Sequence, residues 1–123
     1  WEGVDCIGDT LSSVIIVKLP FPRRSAVMEQ KKEETGDVHE FIRRYATPEM
    51  LIKLRQGMGR LIRSETDTGL ISILDCRAAE GEHSKRLSKV LQKYPTIETI
   101  EQITEWFREI KPETYFTEVK NDR

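Results

Sequence analysis

Ser13-Val14-Ile15-Ile16-Val17-Lys18-Leu19 is an almost unbroken apolar, β-branched run, and Pro20 and Pro22 stop it. Such a run reads as a strand buried on both faces, because a half-exposed strand alternates apolar with polar residues. Leu70-Ile71-Ser72-Ile73-Leu74-Asp75 is the second run of this kind, and it follows the turn-forming stretch Ser64-Glu65-Thr66-Asp67-Thr68-Gly69. Between them lie about fifty residues of mostly helical pattern, interrupted at Thr47-Pro48, so the simplest topology is strand, helical crossover, parallel strand. The expected fold is α/β with a parallel sheet. Two parallel strands are too few for such a sheet, which normally has several strands and helices on both faces. Further strands are therefore expected upstream. A chain that opens Trp1-Glu2-Gly3-Val4-Asp5, with neither Met nor a basic-then-apolar leader, is expected to be a piece cut inside a larger domain.

The 123 residues allow one domain with one modest core, and 37% hydrophobic against 33% charged residues puts a strongly charged surface around it. With 20 Lys+Arg against 21 Asp+Glu the formal net charge is -1, so no bulk attraction to nucleic acid or membrane is expected. Any such binding must come from local clustering, and the charge is segregated. From Phe41 to Arg63 there are six bases (Arg43, Arg44, Lys53, Arg55, Arg60, Arg63) and one acid, Glu49, whereas Thr96 to Val119 holds six acids and two bases. The longest purely apolar run, Val14 to Val17, falls far short of the roughly 20 residues that span a bilayer. Cys6 and Cys76 lie far apart with no CxxC or Cys/His cluster, which argues against zinc or a disulfide framework and suits a reducing, cytosolic setting. They read as small buried hydrophobes or free thiols, and the isolated His39 and His83 as surface residues.

Thr47 can cap a helix, Pro48 can take its first position, and Glu49 faces the positive end of the dipole. The helix is expected to reach about Ser64, with Leu51, Leu54, Met58 and Leu61 as its core stripe. Lys53, Gln56, Arg60 and Arg63 would then share an arc of about 80° on the other side. Gly57 and Gly59 would each cost such a helix about 1 kcal/mol relative to alanine, which suggests that something approaches its backbone closely. An arginine-rich face beside glycines suits a polyanion, because the planar guanidinium fork matches phosphate. Two further helices are expected, near Ser84 to Lys93 and from Glu98 to Ile110; Ile100, Ile103, Trp106, Phe107 and Ile110 on the latter read as core.

Gln56-Gly57-Met58-Gly59-Arg60-Leu61-Ile62-Arg63-Ser64-Glu65-Thr66-Asp67-Thr68-Gly69 resembles the sixth conserved motif of superfamily-two helicases, in the QGxGRxIRxxxDxG form of the DinG/XPD group. Trp1-Glu2-Gly3-Val4-Asp5, followed by Gly8-Asp9 and Leu11, resembles the fifth motif of that group, and Val17-Lys18-Leu19-Pro20-Phe21-Pro22 the strand that follows it. Cys6-Ile7 departs from the aliphatic-proline pair usual in bacterial members, and nothing from Tyr94 onward matches a motif.

The resemblance implies the second of two RecA-like motor domains of an ATP-dependent DNA helicase, truncated on its N-terminal side, with a motif-bearing part at 1–87 and a helical extension at 88–123. Its partners would be the first RecA-like domain of the same polypeptide and single-stranded or forked DNA, with no membrane. ATP and Mg²⁺ would be held mainly by that first domain, since this chain has neither a GxxxxGK[ST] loop nor an acidic box. An iron–sulfur cluster, which needs four cysteines, would belong to another part of the protein. Arg63 is the candidate arginine finger, Arg60 a second phosphate contact, and Gln56 a polar contact to the γ-phosphate or its water. Gly59 completes this nucleotide-binding group, and Gly3 and Asp5 join it from the fifth motif, Asp5 through the ribose or an arginine of the sixth. Glu2, Gly3, Arg23 and Arg24 are candidate DNA contacts, although Glu2 could equally pair with an arginine. Arg43-Arg44 could also contact DNA phosphate, yet paired surface bases, like Lys53, are more often simply solvated, and Asp67 and Gly69 read as turn residues. The alternative to a working motor is a degenerate one kept as a non-hydrolysing DNA- or partner-binding scaffold. The location implied is cytoplasmic at the nucleoid, or nuclear in a eukaryote.

Overall fold

The structure, a computed structural model, describes residues 13–111 and 113. It divides into two compact units, Trp1–Leu91 and Gln92–Arg123. In the first, strand β1 (Ser13–Ile16) leads to helices α1 (Ala26–Thr35) and α2 (Val38–Phe41). A π-helical turn (Ile42–Ala46), helix α3 (Thr47–Met58), strand β2 (Leu70–Ile73), a 3₁₀ turn (Cys76–Ala78) and helix α4 (Glu82–Leu91) follow. β1 and β2 pair in parallel, with Ser13 opposite Leu70 and Ile16 opposite Ile73. The expected strand–crossover–strand order is therefore present in a small α/β arrangement, and the crossover carries α1 to α3.

Both strands are shorter than their apolar runs, and β1 is not buried on two faces. Ile16 is buried, whereas Ile15 is 62% exposed and Val17 is exposed as well. Side chains alternate between the faces of a strand, so a sheet covered on one side leaves every second residue of an apolar run in the open. The largest share of the core from one element comes from α3, where Met50 and Leu54 are fully buried beside Leu51 and Met58. Ile16, Leu19, Leu61, Leu87 and Val90 are also buried.

The caps of the crossover follow local chemistry. Ser25 Oγ accepts the N–H of Met28 at the start of α1, and Gly36, at φ 68°, takes the left-handed turn that closes it. Asp37 then caps α2 through the N–H of His39.

Thr47-Pro48 does not interrupt the helix, and Thr47 is not its cap. Phe41, Ile42, Ala46 and Thr47 all have right-handed helical angles, so the chain runs helically from Val38 to Met58, with Thr47 buried in the middle. A proline inside an α-helix collides with the carbonyl four residues back and brings no N–H. The wider π turn accommodates it: the Thr47 N–H reaches the carbonyl of Ile42, five residues back. In that pattern the next carbonyl, Arg43, would look to residue 48, a proline with no N–H to give. Arg86 of α4 fills the place, its Nη1 donating to the Arg43 carbonyl oxygen at 2.7 Å. Glu40 accepts from the Arg43 guanidinium at 2.7–3.0 Å and pairs with Arg44, which holds its carboxyl below the usual range.

In the second unit, helix α5 (Ile100–Ile110) begins with a capping box: Thr99 Oγ1 accepts the Gln102 N–H, and Gln102 Oε1 accepts the Thr99 N–H. Its apolar side is not a core. Ile103, Trp106, Phe107 and Ile110 are half-buried and Ile100 is 78% exposed.

Replacing Arg86 by Ala leaves the Arg43 carbonyl to solvent and is expected to lower stability by about 1 kcal/mol in urea unfolding. Restoring an N–H with Pro48→Ala in the same chain should recover part of that loss, because an α-helical pattern can then re-form through residue 48.

Candidate functional site

Helix α3 ends at Met58, not near Ser64. Gly59 closes it by donating to the Arg55 carbonyl at 2.9 Å, and Arg60 and Leu61 donate to Gly57 and Met58, three residues back, tightening the chain into a turn. Two causes act together. The glycines make a longer helix costly, and Asp67 offers a competing acceptor. Its Oδ2 takes the N–H groups of Arg63 at 2.9 Å and Ser64 at 2.8 Å, the two donors that a continuing helix would have given to the carbonyls of Gly59 and Arg60. These backbone bonds, with the Arg63 charge adding, hold the Asp67 carboxyl below its ordinary value.

The single basic helical face is therefore a correction. Lys53 and Gln56 sit on α3, Arg60 in the turn after it, and Arg63 on the loop closed by Asp67. Lys53 pairs with Glu49 at 3.4 Å. Gln56 and Arg63 are exposed and Arg60 is half-buried. The need for Gly59 also lies elsewhere than expected, since a Cβ there would meet the Arg55 carbonyl oxygen at 3.2 Å, within its own helix. Gly69 is required by packing: a Cβ would come within 2.5 Å of the buried Leu61 side chain. Asp67 thus has the turn role expected of it, whereas Gly69 serves packing instead of a turn. Glu2, Gly3, Asp5 and Cys6 lie outside the described residues.

Asp75, at the end of β2, is a residue whose role sequence reasoning missed. Its Oδ2 accepts the Leu19 N–H at 2.8 Å, 56 positions away, and both oxygens accept from the Arg77 guanidinium. The Arg77 hydrogen bonds first, then the Leu19 N–H, hold this carboxyl far below the carboxylate range. Arg77 in turn lies over the Phe21 ring, 4.8 Å from its centroid. The available signal was a charged Asp-x-Arg directly after an apolar strand. His83 also differs from its surface reading: its ring stands edge-on to Phe21 at 5.2 Å, with Nε2 buried. His39 is exposed, 3.9 Å from Glu82, and Cys76 is an exposed free thiol. Arg23 is exposed, and Arg24 is 91% exposed while pairing with Glu29 at 3.5 Å. Among the described residues no group of three or more His, Cys, Asp or Glu could hold a metal ion, and no helix is long and apolar enough to cross a membrane.

The QGxGRxIRxxxDxG stretch of this chain thus places an exposed Arg63 on a loop fixed by Asp67, one turn beyond a glycine-terminated helix. Residues 1–94 match the family described as the helicase C-terminal domain. The chain belongs to that family, in its DinG group. It is similar to ATP-dependent DNA helicase YoaA of Haemophilus influenzae, with 43% identity over 96 residues, 74% of this chain and 14% of that protein. The YoaA of Escherichia coli is 46% identical over 82 residues, 63% of this chain and 12% of that protein. ATP-dependent helicase DinG of Mycobacterium tuberculosis is 34% identical over 97 residues, 76% of this chain and 14% of that protein. This helicase C-terminal domain thus spans about a seventh of the length of the relatives it matches. No solved structure matches it.

Gly69→Ala should destabilise the domain by about 1–3 kcal/mol through overpacking against Leu61, measured by urea unfolding. A second expectation concerns acid. Asp75, Asp67 and Glu40 bind protons less readily folded than unfolded, so the stability they add is complete above the unfolded carboxylate value of about 4 and is lost as pH falls below it. Asp75→Asn should therefore melt lower than the parent at pH 7, and the gap between the two should shrink by about pH 3.

Proposed function

We propose that this chain is the C-terminal, second RecA-like motor domain of an ATP-dependent DNA helicase, coupling ATP hydrolysis to translocation on and unwinding of DNA. The observation that carries this reading is the stretch from Arg60 to Asp67, where Arg60 sits in the turn that closes α3 and Arg63 on a backbone fixed by the Asp67 carboxylate instead of along a solvated helix. The names of its relatives, ATP-dependent DNA helicases among them, support the same class.

Phosphoryl transfer spreads negative charge over the γ-phosphate oxygens, and an arginine placed across a cleft stabilises that charge at its peak. Arg63 is the proposed finger. Asp67 grips the backbone N–H groups of residues 63 and 64, leaving the Arg63 side chain exposed on a loop of set geometry. Positioning of this kind matters, because a shift of about 1 Å can cost around 10²-fold in rate. Arg60 is a second phosphate contact, and Gln56, exposed on the last turns of α3, orients the γ-phosphate or its attacking water. Gly59 belongs to the same nucleotide-binding group, and Gly3 and Asp5 complete it from the fifth motif. The triphosphate chain and its Mg²⁺ would be held by the first RecA-like domain of the same polypeptide. Glu2, Gly3, Arg23 and Arg24 face single-stranded or forked DNA. In this reading the motor motifs occupy 1–87, and 88–123 form a helical extension.

The test is Arg63→Ala in the full-length protein. DNA-stimulated kcat should fall by about 10³-fold or more while ATP affinity changes much less, because the contact is made chiefly in the transition state. Arg63→Lys should rescue only partly, since a point charge lacks the guanidinium fork. Near-normal turnover in Arg63→Ala would overturn the finger assignment. The 123-residue chain alone should hydrolyse no ATP.

A further inference from the structure

Between the segment that follows β1 and the helices of the crossover lies an open groove of about 250 Å³. Its lining is mostly apolar, with Phe21, Phe41 and Ile42 among it, and it also includes Arg23, Arg24 and Lys32. One acid, Glu29, also lines it, paired with Arg24, so three cations face one carboxylate in a chain whose overall charge is -1. The volume is below the roughly 300–1,000 Å³ of small-molecule clefts, which suits a single planar ring system better than a whole cofactor. Aromatic and aliphatic side chains lining a groove together with three cations have the chemistry of single-strand recognition, in which bases lie on aromatic faces and phosphates meet arginines.

The groove's aromatic wall is pre-set. Pro20 and Pro22 fix the backbone on either side of Phe21, whose own N–H bonds the Leu19 carbonyl at 2.8 Å. Arg77 covers the ring at 4.8 Å, and Arg77 is itself clamped by Asp75, the residue that also holds the Leu19 N–H. His83 stands edge-on to the same ring at 5.2 Å. Neither Arg77 nor His83 lines the groove. A ring held in this way needs little ordering when a base arrives, so more of the contact energy appears as affinity.

We propose that this groove is a base-docking subsite for single-stranded DNA: one unstacked base lies on the apolar lining against Phe21 and Phe41, and the flanking phosphates meet Arg23, Arg24 and Lys32. The proposal rests on the helicase reading and deepens it, because it assigns the base contact that Arg23 and Arg24 alone would not supply. Phosphate contacts give affinity that salt weakens, while the apolar lining gives a preference for strands that carry bases.

Val38 lines the groove at the first position of α2 and is exposed, and Glu is well tolerated at a helix N-terminus, so Val38→Glu adds a repelling carboxylate without threatening the fold. In the full-length protein, fluorescence anisotropy would follow binding of a labelled oligothymidylate and of an abasic deoxyribose-phosphate oligomer of the same length, with thermal melting as the folding control. Val38→Glu should weaken oligothymidylate binding about tenfold. Arg23→Ala with Arg24→Ala should flatten the salt dependence by about 1.4 in the log–log slope, the share of two phosphate contacts on a single strand. Phe41→Leu, which keeps apolar bulk and removes the aromatic face, should narrow the preference for the base-bearing strand over the abasic one. Folded Val38→Glu and Phe41→Leu proteins with parental affinity and parental base preference would overturn the subsite while DNA-stimulated ATPase in the parent still supported the helicase reading. A parent with neither DNA binding nor DNA-stimulated ATPase would overturn both.

Discussion

The parallel pairing of Ser13–Ile16 with Leu70–Ile73 is the constraint on which the rest of the first unit depends. Parallel neighbours cannot be joined by a tight turn, so the intervening chain must travel the length of the sheet and return. Everything of functional interest lies on that journey or at its two ends. The pairing continues beyond the ladder: the Leu74 N–H bonds the Ile16 carbonyl at 2.9 Å, and one residue later Asp75 takes the Leu19 N–H. The clamp replaces further ladder bonds with a carboxylate that Arg77 keeps charged. It also fixes where the chain leaves each strand, and so where Phe21 stands relative to the helices.

The arginine-bearing loop shows how a sequence motif works as a physical device. A helix stops where continuing it gains less than an alternative set of hydrogen bonds. Here glycine lowers the gain on one side and Asp67 raises the alternative on the other. The result is an arginine displaced from a helix face, where it would sway with its solvent shell, to a loop whose backbone is held from within. Gly69 then admits Leu61 against the chain just before β2, tying the end of the loop to the core.

The π turn is a second compromise of the same kind. Pro48 removes a donor inside a long helix, the turn widens to avoid the collision, and a side chain from α4 supplies the missing hydrogen bond. Arg86 thereby joins α4 to the crossover at a place where no apolar contact could satisfy the exposed carbonyl. Glu40, with Arg43 and Arg44 around it, neutralises part of the basic cluster on the same segment.

By itself the sequence determined the two strands and their parallel order, the helical crossover between them, the apolar residues of α3, and a motif specific enough to name the family. These are legible because they are local or periodic: β-branched runs, helical spacing, and fixed intervals among Gln56, Gly59, Arg60, Arg63, Asp67 and Gly69. Only the tertiary structure decided where α3 stops, that Thr47 is buried instead of capping, that Ile15 and Val17 face outward, and that His83 is packed against Phe21. It alone brought Leu19 to Asp75 and Arg43 to Arg86, and it gathered Phe21, Phe41 and the arginines around one groove. Each of these is a competition between hydrogen bonds or a contact across tens of residues. Propensity and periodicity describe a segment's own preferences, whereas such outcomes depend on which distant donor, ring or carboxylate the fold places beside it.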